Sequence, residues 1–192
     1  INQIRAFVAE TVRIGDELDK TSQQLGITAH DLQSLRLAAD LSGASQERMN
    51  VALAQLSQRL YMASTRGGEA AQTFRTIGLE FEDAQGNVRP LQDVMASLAD
   101  VIQRTENPTE RVGIAMRLFG EQGRFLLPML SGGSEGLSRM RAEIDELGGA
   151  MSDDAVRAAR DMNDSMTRLL VTITSLRSSI ATRIIPALDW LV

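Results

Sequence analysis

NPTERVGIAMRLFGEQGRFLLPML, residues 107–130, holds two helices and the break between them. Asn107-Pro108 with Glu110 is a helix start: a short polar side chain, a proline and an acid near the positive helix end. Val112, Ala115, Met116 and Phe119 follow at helical spacing, and Gly120 closes the segment. Phe125, Leu126, Leu127 and Leu130 then form a second, short apolar helix. Pro128 limits it to about one or two turns. Nothing in the stretch is placed for chemistry. Phe119-Gly120 ends the first helix, and the four later apolar residues are expected to plug the second into a core, so the passage specifies packing rather than contact with a substrate.

The same pattern of cap, apolar stripe and glycine stop runs outward in both directions. Ile4, Phe7, Val8, Val12, Ile14 and Leu18 predict a helix over 1–25, weakened slightly by Gly15 and ended at Leu25-Gly26. Thr28 with Asp31 opens the next, with Leu32, Leu35, Ala38 and Ala39 as its stripe. Ser45 opens a third, whose Met49, Ala52, Leu53, Leu56 and Leu60 repeat at three and four before Gly67-Gly68. A short helix over 69–77 follows. Leu91, Val94, Met95, Leu98, Val101 and Ile102 form a strong stripe behind Pro90, expected at the first helical position. Glu135 to Leu147 is amphipathic and stops at Gly148-Gly149.

GLEFEDAQGNVRP (78–90) alone departs from helical spacing. Leu79 and Phe81 alternate with acids, and Gly86-Asn87 supplies a turn, which predicts a small β-hairpin or an irregular loop leaning on the helices. After Ser152-Asp153-Asp154 no Gly or Pro appears until Pro186, which is expected to break or kink the helix. About 33 residues can therefore be continuous helix, about 50 Å long. Within it Ala159, Met162, Met166, Leu169, Ile173, Leu176 and Ile180 follow one another at 3-4-3-4-3-4, the a/d seam of a coiled coil. The register shifts at Arg183. Ser and Thr, rather than paired charges, flank the seam around Thr172 to Ser179, so partner choice by e/g charge is poorly specified. The seam reads equally well as internal core and as a self-association surface.

The fold expected is all-α: a multi-helix bundle of short amphipathic helices, one small β-hairpin or irregular loop, and a long C-terminal helix. The expected division is a globular helical module over 1–150 and a rod-like helix over 151–192. Composition agrees. The chain is 43% hydrophobic but only 4% aromatic, a core of Leu, Ile, Val, Met and Ala that suits packed helices. It starts at Ile1 without Met and ends in mid-pattern at Trp190-Leu191-Val192, so both ends are expected to be cuts in a longer polypeptide.

Chemistry is scarce. The absence of Cys excludes disulfides, thiol catalysis and Cys-ligated metals. A net charge of −5, with basic residues interleaved among acids, disfavours a nucleic-acid grip. No apolar run approaches the ~20 residues that span a bilayer. His30 is the sole histidine and sits at a helix start. The carboxylate groups Glu80/Glu82/Asp83, Asp153/Asp154 and Asp161/Asp164 read as turn, helix-start and solvent-face acids; a wall hydrolase would need two held across a cleft. Asp83, Gln85 and Asn87 loosely resemble a calcium loop, but Val94 stands where its closing acid should be. No catalytic, cofactor or metal residues are therefore assigned.

Four passages resemble the N-terminal part of phage tail tape-measure proteins: LGITAHDLQSLRLAADLSGASQERMNVALAQLSQRL (25–60), GLEFEDAQGNVRPLQDVMASLADVI (78–102), NPTERVGIAMRLFGEQGRFLLPML (107–130) and ELGGAMSDDAVRAARDMNDSMTRLLVTI (146–173). Together they cover most of residues 20–190. The resemblance implies a non-enzymatic structural protein, a helical ruler inside the tail tube that sets tail length and leaves ahead of the DNA. It implies tube subunits, tail-assembly chaperones and the baseplate hub as partners, and a place in the virion after assembly in the host cytoplasm; a second copy of the chain is the partner that the seam of the long helix would take. A generic helical adaptor is the rival from composition alone.

Overall fold

The computed structural model describes the backbone of residues 2–188 and the side chains of residues 6–172. It is helical: α1 (Asn2–Leu25), α2 (Ala29–Leu41), α3 (Gln46–Arg66), α4 (Gly68–Thr76), α5 (Leu91–Arg104), α6 (Pro108–Phe119), a 3-10 turn (Gly120–Gln122), α7 (Gly123–Leu130), α8 (Gly133–Glu146) and α9 (Asp153–Leu188). Helix starts follow the local capping chemistry. The Thr28 side chain accepts from the Asp31 amide, Ser45 from that of Arg48, and Asn107 from those of Thr109 and Glu110, each satisfying amides the helix cannot. Pro90 differs from expectation by one residue. It lies just outside α5, with ψ 140°, and its carbonyl accepts from Asp93 and Val94.

Contacts divide the chain into two compact units, one over residues 20–153 and one made of residues up to 19 with those from 154 onward. In the 20–153 unit α5 packs on α8, α6 on α7, and α3 on α2, α4 and α6. Leu32, Met49, Leu53, Leu56, Val94, Leu98, Ile102, Leu118 and Phe119 lose all contact with solvent. The stripes of α3 and α5 read from the sequence are buried throughout. In the other unit Val12, Leu18, Val156 and Ala159 are buried. α9 continues two residues past Pro186.

The strand-like passage is not a β-hairpin. Among the described residues it holds one isolated antiparallel bridge, Glu82 with Val88. Backbone pairing is limited to Asp83 N–H to Asn87 O and Arg89 N–H to Phe81 O, and the Asp83 carboxylate closes the turn by accepting from the amides of Gln85 and Asn87. Leu79 and Phe81 are buried, Phe81 with its ring 4.9 Å from that of Phe74. They anchor a loop to α4 instead of continuing a ladder.

Phe125 and Leu127 are only half-buried. The residues of α7 that fill the core are Leu126, Met129 and Leu130. Two arginines lie over the Phe125 ring, with the guanidinium carbons of Arg48 and Arg124 at 3.9 and 4.6 Å from its centre. In an eight-residue helix only one face can turn inward, and Met129 rather than Phe125 lies on it.

Candidate interaction surfaces

His30 belongs to a polar clasp at the start of α2. Its Nε2 lies 2.8 Å from Asp145 Oδ1, and Arg141 Nη2 approaches its Nδ1 at 3.4 Å. One arrangement serves both contacts: Nε2 carries the proton and donates to Asp145, while Nδ1 accepts from Arg141. The His30 amide donates to Asp153 Oδ1 at 3.1 Å. Gln33 grips the backbone of Met151 twice, accepting from its amide at 2.9 Å and donating to its carbonyl at 3.2 Å. Gly149 lies against Leu37 and Ile144. These contacts hold residues 149–153 to α2 and α8. They are structural, and they employ Asp153, one of the acids singled out in the sequence.

The other carboxylates are spread out as well. Asp154 pairs with Arg157, Asp161 with Arg160, and Asp164 is exposed. Hydrogen bonds from the Asn87 backbone and side chain hold the Asp83 carboxyl below its usual range, so its oxygens are committed to its own turn. Among the described residues no three His, Asp or Glu side chains gather to hold a metal ion. No described helix is long and apolar enough to cross a membrane.

The seam on α9 divides into stretches of different character. Ala159 is buried, and its methyl sits where a Cβ on Gly15 would lie 2.4 Å away. Gly15, expected only to weaken α1, is therefore a point of close helix approach. Asp19 of α1 accepts from Arg160 at 3.1 Å beside it. Further along, Met162 and Met166 are 45% exposed and Leu169 62%. Phe7, 72% exposed, adds to the apolar surface of the same unit. The side chains of Ile173, Leu176 and Ile180 lie outside the described residues.

The model of the family described as phage-related minor tail protein matches residues 3–120, more than half of the chain. The chain belongs to that family. The match runs from α1 through the end of α6 and stops at Gly120, within the passage MRLFGEQGRFLLPML (116–130). No curated protein and no solved structure matches. As a minor tail protein the chain is a structural component of a phage tail, and its place is the virion. The helices of this minor tail protein are legible in its sequence. The Gly15–Ala159 approach and the clasp are not, because both join residues more than a hundred positions apart.

Proposed function

We propose that this minor tail protein is a tape measure, a ruler that sets tail length and scaffolds assembly of the tail tube before leaving ahead of the DNA. The observation that supports it most is α9, an uninterrupted helix of 36 residues. A helix gains a fixed rise per residue, which is what a ruler needs. The partners that follow from the role are tube subunits, tail-assembly chaperones and the baseplate hub. The test is to insert nine heptads into α9 in the phage that encodes it. Tails measured by electron microscopy should lengthen by about 95 Å, at about 1.5 Å per residue. Tails of unchanged length reject the ruler and leave a helical adaptor.

The exposed part of the seam favours a second element of this reading, association with another copy of the chain. Met162, Met166 and Leu169 keep heptad spacing and remain open to solvent. Replacing Met166 and Leu169 with Asp should reduce the sedimentation mass to that of one chain, while the helical circular dichroism of the 20–153 unit stays intact. An unchanged mass rejects the seam as an association surface.

A further inference from the structure

A cleft of about 220 Å³ opens between α2, α5 and α8 of the 20–153 unit. That is smaller than the ~300–1,000 Å³ of sites that enclose whole small molecules, and suits one long side chain. Asp31, Ser34 and Gln92 are among the polar residues that line it. Ser34 is only 5% exposed, yet its Oγ has no hydrogen-bond partner, and neither has the buried Oε1 of Gln92. Buried oxygens left without donors are uncommon in folded proteins, and two on residues that line one cleft point to a donor-rich guest. The charge balance gives the guest its sign. Asp31 and Asp93 stand against one cation, Arg141. Arg141 already shows what the lining accepts: its Nη1 lies 2.6 Å from Asp31 Oδ1, while the arginine side chain remains 48% exposed. Leu35, Met95 and Leu137 supply apolar walls that an alkyl stem can lie along.

We propose that this cleft is a docking site for a single Lys or Arg side chain presented by a partner polypeptide. The stem packs on Leu35, Met95 and Leu137, and the cationic head donates to Ser34 Oγ, Gln92 Oε1 and the Asp31 carboxylate. The ruler reading is not needed for it: the site stands on the geometry of the 20–153 unit alone.

The test is a titration of the full chain with Nα-acetyl-arginine methylamide, its lysine counterpart and the neutral Nα-acetyl-norleucine methylamide, followed by amide NMR. The two cationic probes should shift the Ser34, Gln92 and Ser138 resonances saturably, and the norleucine probe should not. Ser34→Ala and Gln92→Leu should each weaken binding about five-fold, the worth of one lost hydrogen bond, with the melting temperature checked for both. If Gln92→Leu fails to fold, Ser34→Ala alone gives the reading. Equal shifts from all three probes would show a merely apolar crevice and overturn the proposal. The absence of any saturable shift would show a cleft filled by water alone and overturn it too.

Discussion

Phe119→Ala should destabilise the 20–153 unit by about 3–5 kcal/mol, the range found when a wholly buried aromatic ring is deleted from a core. Phe119 is the last residue of α6 and has no solvent exposure. Leu118, Leu126 and Met129 are equally buried, and α6 packs on both α3 and α7. With three helices fixing the walls, the space left by the ring cannot collapse fully, so the loss of transfer energy is joined by a cavity term. Urea unfolding followed by circular dichroism measures it, and the melting temperature should fall by on the order of 10 °C or more. Phe125→Ala is the control. Its ring is half-buried under two arginines, and its loss should cost about 1 kcal/mol. Equal losses at both positions would contradict the placement of α7.

Gly123→Ala has the next largest expected effect, about 3 kcal/mol, at the upper end of what overpacking usually does. The reason is contact rather than backbone freedom. Gly123 has φ −54° and ψ −36°, values any residue adopts in a helix. A methyl group there would sit 2.2 Å from the carbonyl oxygen of Ala115 and 2.4 Å from its carbon. Those atoms belong to the backbone of α6 and cannot rotate away, so α7 would have to move off α6. Gly113→Ala, in the middle of α6 with open space around it, should instead stabilise by about 0.5–1 kcal/mol. Denaturation midpoints of the two variants moving in the same direction would reject this account.

Residues 107–130 also show what sequence reveals and what it hides. The Asn107 cap and the Gly120 stop are local, involving residues two or three apart, and both were legible. Which residues of α7 face inward was not. Phe125 is more apolar by type than its position allows, and Met129 takes the core site because the helix turns that way. The start of α8 was misplaced for a similar reason. Its Ser134 amide is capped at 2.7 Å by Asp100 Oδ1, a side chain from α5 that no local pattern announces. The strand-like alternation of 79–82 was real burial, of Leu79 and Phe81, without a partner strand. The seam illustrates the converse limit. Heptad spacing identified an apolar stripe but could not distinguish Ala159, pressed against Gly15, from Met166 and Leu169, open to solvent. The cleft lined by Ser34 and Gln92 leaves no local pattern to read, since its walls come from three separate helices.

The grip of Gln33 on Met151 spans 118 positions of chain. A ribosome adding about 5–20 residues per second needs roughly 6–24 s to travel from one to the other. Throughout that interval α2 exists without the segment that will fasten its first turn, and for most of it without α8, which covers one of its sides. The unit therefore cannot finish folding as it emerges. It waits, partly assembled, for residues that arrive last, and the nascent chain spends those seconds with apolar surface of α2 accessible to any holding factor in the cell.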